Sequence, residues 1–545
     1  MKASLPRRRL IPRWRPVART LQTSETGPLI SRPTWAFSLD PVLFEQAVAS
    51  WRDTPTAGHL GEVLSFAIQP AFEQRALEVV QQALKGGLPV TRVQAELAAT
   101  LDPAAEVPDR DDEHPIGGGA RPFQHRMSAL RRILRVAPAN VLSLLDFAQL
   151  QSAVGKQEAA ARTLRVALSL APHNRLVLRT NARFFVHIGN PDEAHALIAK
   201  SHASKGDPWL MASEIALADA AATPSIFLQK GRRLLKEGRT SPEQIAELAG
   251  AIATTELMSG RVKDARVALR LALERPTDNV VAQAMTEQEL VGVRLDEPQL
   301  RRAIELSSEA QLIQAWKTHD AGAAERYALA WHAEEPFSSR PVQFLTTLYS
   351  LRGEYALAAE WVRAGLRADS NDLGLLTNLA FSHAALGQTD AAESAIRKVQ
   401  TNSRNSFQPY LMATEGLIAL KRSHMEEADR LYRTAAAEFE KRGQSQLAAL
   451  CVAYYAKAAL EVHHPGAQGL LTEAINLVQR YPSHDALLLL NSELPKSDAP
   501  PAGDDARRLS QWIFDPAANT LTKKSGVTTR GAPSVVILPG KKRLP

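Results

Sequence analysis

The chain has a single cysteine, Cys451, so no disulfide can form within it. That residue stands in the apolar helical run LAALCVAYYAKAAL, where a small buried side chain is expected and a reactive thiol is not. No run of about 18 apolar residues exists, so no membrane span is expected. The beginning of the chain is positively charged without an apolar stretch behind it, which is not the pattern of a secretory signal. It is Arg-rich and acid-free like a mitochondrial presequence, but Pro6, Pro12 and Pro16 oppose the helix that a presequence needs. Catalytic patterns are missing too. There is no nucleophile elbow, no P-loop, no His-Glu-x-x-His and no cysteine pair, and no two acids stand out as a glycosidase-type pair. His463 and His464 precede Pro465 in a helix-ending turn and read as exposed loop histidines. No catalytic residue, cofactor or metal site is expected.

Acidic residues are absent from both ends. Lys2, Arg7, Arg8, Arg9, Arg13, Arg15 and Arg19 precede the first acid, Glu25, and none follows Asp515, beyond which lie Lys523, Lys524, Arg530, Lys541, Lys542 and Arg543. Taking these 13 positive charges from the net of +7 leaves −6 for the body. Two basic tails flank a mildly acidic body. Such tails can hold nucleic acid, an anionic membrane or an acidic partner, or can be plain solvated ends.

What the chain does have is alanine, leucine and a repeat. Apolar residues make up 45% and aromatics 6%, a helix-former composition that calls for a thin, extended core of small side chains. From Ser339 the chain reads SRPVQFLTTLYSLRGEYALAAEWVRAGLRADSND, and from Leu373 it reads LGLLTNLAFSHAALGQTDAAESAIRKVQ. The two superpose without a gap at a period of 34, a helical-hairpin repeat. The same period links Gly155 to Gly189 and Ala160 to Ala194. Six units are read in residues 141–440, while 205–240 and 280–338 are helical without a clear phase.

These segments resemble tetratricopeptide repeats. The small first-helix position is held by Ala148, Ala182, Ala253, Ala380 and Gly416, and the small second-helix position by Ala160, Ala194, Ala265, Ala358, Ala392 and Ala428. Leu144, Leu178 and Leu376 stand where the family has a tryptophan. The resemblance implies an all-α, right-handed α-solenoid whose first helices line a concave groove for a partner protein. Groove-facing residues would be Gln149, Arg179, Arg183, Arg340, Gln343, Thr347, Thr377, Asn378 and Phe381. Arg179 and Arg183, one turn apart, could grip a partner's carboxylates or phosphates. Chaperone-binding members clamp a terminal carboxylate with a Lys and an Asn; Leu145 and Gln149 stand there instead, so that partner is not assigned.

The organisation expected is a disordered basic arm over 1–32, a divergent helical region over 33–101, a linker over 102–122, the solenoid over 123–490, and a linker with a basic tail over 491–545. The linker holds Asp109, Asp111, Asp112, Glu113 and His114, which lack the spacing of a calcium loop. Its Gly117–Gly119 has neither the strand nor the lysine of a phosphate loop. In the tail, WIFDPAANTLTKKSG alternates like a β-hairpin around Pro516–Asn519. The function expected is a cytoplasmic, non-enzymatic scaffold. One alternative is a nucleic-acid adaptor using Arg7, Arg8, Arg9, Arg13, Arg15, Lys523, Lys524, Lys541, Lys542 and Arg543. Another is an enzyme with a site in the N-terminal helices.

Overall fold

The computed structural model describes residues 9–16, 41–56, 59–60, 63–64, 70–86, 121–136, 138–238, 240–291, 303–402, 407–491, 512–515 and 520–523. The acidic and glycine-rich stretches within 102–120 lie outside them. The linker expected to reach 122 ends sooner, because Arg121 and Pro122 already open a helix.

Helices dominate. Among the described residues, α1 (Pro41–Asp53) and α2 (Pro70–Lys85) lie in the divergent region, and α3 (Arg121–Val136) leads into the solenoid. Antiparallel hairpins follow: α4 (Val141–Ala153) with α5 (Gln157–Leu170), α6 (Arg175–His187) with α7 (Pro191–Lys200), α8 (Pro208–Ala220) with α9 (Leu228–Glu237), and α10 (Pro242–Met258) with α11 (Val262–Ala272). After α12 (Asp278–Val291) come α13 (Ser308–Lys317) with α14 (Ala321–Glu334), α15 (Ser339–Leu351) with α16 (Tyr355–Ala368), and α17 (Leu373–Ala385) with α18 (Thr389–Asn402). The series closes with α19 (Gln408–Lys421) and α20 (Met425–Lys441), α21 (Ser445–Glu461) and α22 (Ala467–Arg480), and the single α23 (His484–Asn491). In the tail, β1 (Trp512–Asp515) and β2 (Thr520–Lys523) pair antiparallel with Trp512 opposite Lys523, the hairpin that the alternation calls for.

Local chemistry sets the starts and stops. Asn140 and Asn174 accept the amides of Ser143 and Val177 at 3.0 and 3.1 Å, capping α4 and α6. Asp207, Ser307, Asp320 and Asp372 cap α8, α13, α14 and α17 in the same way. Left-handed residues mark the inter-helix turns. Ala222 (φ 54°) and His319 (φ 61°), in the hairpins without a clear phase, and Ser423 (φ 64°) and His463 (φ 55°) occupy the place that glycine takes in the other hairpins. Without glycine there, the repeat loses its most legible mark.

The small residues do what close approach of two helices demands. Ala148, Ala182, Ala380 and all six second-helix alanines are fully buried. Ala392→Leu should therefore overpack the α17–α18 contact and destabilise by about 1–3 kcal/mol. An unchanged melting temperature would mean that the two helices can part at no cost.

The solenoid also returns on itself, where an extended body is expected from composition. Gln157 donates to the carbonyl of Ala368 at 2.6 Å, and His187 Nε2 lies 3.1 Å from the same oxygen. The turn at Gly155 (φ 78°) sits so close that a Cβ there would lie 2.3 Å from the Arg367 carbonyl oxygen. One hydrophobic core joins Phe44, Trp51, Val80, Leu145, Phe184, Phe337 and Ala368, and Trp14 with them. The hairpin α4–α5 thus docks on the end of α16, some two hundred residues along, and α1 and α2 pack onto the joint.

Candidate partner-binding groove

Residues 9–16, expected within a disordered arm, are instead packed inside this turn. They adopt no helix or strand, and Leu10, Pro12, Arg13, Trp14 and Arg15 are buried. The segment meets one first helix after another. Arg9 pairs with Asp219 of α8. Leu10 belongs to the core around Ile215, Ile252 and Val280. Asn279 of α12 donates to the carbonyl of Ile11 at 3.1 Å, and Gln149 of α4 donates to that of Trp14 at 2.6 Å.

Charge complementarity holds its middle. Arg13 Nε lies 2.7 Å from Asp278, Nη2 2.6 Å from Glu309 and Nη1 3.3 Å from Glu335, and Arg15 Nη1 lies 3.2 Å from Asp278. All five side chains are buried. Burial by itself would lower the Arg13 pKa, but the charges of Asp278, Glu309, Glu335 and Glu334 outweigh it and hold the guanidinium well above its ordinary value. The acids are built in as well. Asp278 opens α12 and Glu309 lies in the first turn of α13, where the helix dipole favours negative charge. Glu309 also accepts from Arg340 at 2.6 Å, and Glu335 from the indole of Trp331 at 2.7 Å. Between these groups Trp14 fills an aromatic slot, 4.9 Å from the Phe337 ring and edge-on to Phe184 at 6.1 Å.

The groove residues expected from the resemblance divide into two sets. Gln149 touches the segment directly. Arg183 lies over the Phe337 ring at 4.8 Å, and Arg340 shares Glu309 with Arg13. Arg179 is buried, with Nη2 3.5 Å from Glu247 and its guanidinium over Trp209 at 4.7 Å, so its carboxylate comes from this chain. The second set lies farther along. Gln343 donates to Asp372 at 2.9 Å and Asn378 to Thr346 at 2.7 Å, which ties α15 to α17. Thr347 and Thr377 bond back to their own helices, and Phe381 lies between Tyr355 and Tyr454. The acids Glu247, Asp278, Glu309 and Glu335, with Phe337, are not among the expected residues. All but Glu247 stand in or beside the hairpins whose phase is unreadable in the sequence.

Of the arginines considered for nucleic acid, Arg13 and Arg15 are buried against carboxylates and Arg9 is paired, so they do not form a free basic arm. The fold captures them because the body carries the opposite charge. Arg7, Arg8, Lys524, Lys541, Lys542 and Arg543 lie outside the described residues; Lys523 ends β2.

Three histidines, His332 buried and His187 and His484 half-buried, carry an acid sensitivity. Burial, with Arg183 nearby, lowers His187 to about 3; burial and Arg367 lower His332 to about 4; burial and His319 lower His484 to about 4. Each folded pKa is below the ordinary 6.5, so the stability these neutral rings contribute is complete above about pH 6.5 and is lost as pH falls toward 4. Asp485, raised to about 6 by burial, acts in the opposite direction over the same range. Comparing one variant with wild type isolates a single ring. His332→Gln should lose less stability than wild type between pH 7 and pH 4.5 in denaturant titrations. Equal losses would contradict the assignment.

The hairpins, with their buried alanine contacts, make the chain a tetratricopeptide-like α-solenoid. No family model matches it, and no curated protein does. Among solved structures, the Cut9–Hcn1 hetero-tetramer of the APC/C is 14% identical, covers 83% of this chain and 94% of its own, and has a TM-score of 0.36. Yeast Tom70 is 12% identical, with coverages of 86% and 96% and a TM-score of 0.30. The Naa15/Naa10 complex bound to HypK-THB is 11% identical, with coverages of 86% and 95% and a TM-score of 0.24. Among the described residues, no helix is long and apolar enough to cross a membrane.

Proposed function

We propose that the chain is a cytoplasmic, non-enzymatic scaffold that holds an extended segment of a partner protein along the concave face of its first helices. One observation supports this reading: eight residues of this chain, in neither helix nor strand, already run across successive hairpins, held at the carbonyls of Ile11 and Trp14 and by side chains. A preformed surface of this kind binds with little ordering cost on its own side. The groove is acidic at its centre, which suits a protein segment and repels a phosphate backbone. The nucleic-acid alternative draws no support from the described residues.

The test is capture from native lysate on the full-length protein, with and without nuclease, compared with Arg183→Ala and Thr347→Glu variants that remain folded. Proteins retained after nuclease and lost with the groove variants are expected. Retention that vanishes with nuclease, or that ignores both substitutions, would contradict the reading.

A further inference from the structure

The segment in the groove has the form of a ligand. It is held by side-chain chemistry and by carbonyl contacts such as those of Ile11 and Trp14, and it is not in a strand. Pro12 and Pro16 bracket Arg13, Trp14 and Arg15, and proline keeps such a stretch extended at low entropic cost. Its seat is selective. Asp278, Glu309 and Glu335 converge on one guanidinium from three separate elements, with exposures of 1%, 1% and 5%. Left empty, the seat would lose the two guanidinium groups that Arg13 and Arg15 bring to these buried acids, so a cationic occupant suits it. Three carboxylates around one head group match the planar fork of arginine better than the point charge of lysine. Beside them the slot between Phe184 and Phe337 takes an indole. At the other end Gly250 leaves room for an aliphatic side chain: a Cβ there would lie 3.3 Å from Leu10 Cδ2 and 2.7 Å from Gln283 Oε1.

We propose that this seat recognises an extended basic protein segment with the order arginine–tryptophan–arginine, supplied by a partner, and that residues 9–16 are the resident occupant which that segment replaces. The proposal rests on the scaffold reading above and specifies the chemistry of its ligand. A tethered occupant acts at an effective concentration in roughly the millimolar range. The groove is therefore closed to weak basic segments and opens only to one that binds more tightly or is locally abundant.

The experiment keeps the whole chain. A protease site is inserted between residues 24 and 25, and the protein is cut after folding. A fluorescent synthetic peptide of residues 7–18 is then added in excess. The labelled peptide is expected to replace the cut segment at one per chain, and a peptide carrying Arg13→Ala and Trp14→Ala should compete at least about tenfold more weakly. Uncut full-length Trp14→Ala protein, whose own segment is weakened, should bind the labelled peptide at least about tenfold more tightly than uncut wild type does. A cut segment that leaves only on global unfolding would overturn the proposal and make residues 9–16 a permanent spine. Equal competition by the substituted peptide would overturn it as well. The outcome is independent of lysate capture: exchange without any captured protein rejects the scaffold reading and keeps the seat, and capture without exchange does the reverse.

Discussion

Arg13→Ala is expected to destabilise the protein by about 3–5 kcal/mol, the cost of removing one partner from a buried ion cluster. Asp278, Glu309 and Glu335 would lose the guanidinium that they share, while Arg15 stays on Asp278 and Arg340 on Glu309. The loss comes mainly from stranding charges that were already desolvated, more than from the net worth of the pairs. Arg13→Lys should fall between the two, because a lysine restores the charge but cannot reach three carboxylates at once. Urea denaturation of full-length variants reads the effect. A loss below about 1 kcal/mol, as for an exposed pair, would mean that water reaches the acids and the seat is open.

Trp14→Ala is the second large effect, about 3–5 kcal/mol for an aromatic removed from a packed site. The indole is 2% exposed, and its core runs from α1 and α2 through α4 to α6 and on to Phe337 and the end of α16. Its loss should therefore loosen the joint where the solenoid meets itself, as well as the segment. A double-mutant cycle with Phe337→Ala separates the two contributions. Ring contact of this kind couples by about 0.5–1.5 kcal/mol beyond area. Additive losses would show that Trp14 fills space without a specific partner in Phe337.

The sequence carried the hairpins because their determinants are local. An alanine at Ala358 and again at Ala392 marks a close helix contact 34 residues apart, and both are fully buried. The occupied groove was not legible, because its determinants are not local. Arg13 meets Glu309 and Glu335 across separations of 296 and 322 residues, and no periodicity registers such a pair. Glu309 and Glu335 also flank the hairpin whose turn has His319 in place of glycine, so no phase could position them. The charge imbalance was the available signal. Seven positive charges before the first acid and a body of opposite sign are what an arm needs to fold onto its own groove. Composition alone does not say whether such an arm seeks its own body or another molecule.

Amide hydrogen exchange over residues 9–16 of the full-length protein is the most direct measurement. With the segment seated in the groove, its amides should exchange slowly, at rates approaching those of the surrounding helices, and Arg13→Ala should accelerate them. Exchange at the rate of a free peptide in the wild-type protein would contradict a seated segment, and with it the occupied groove.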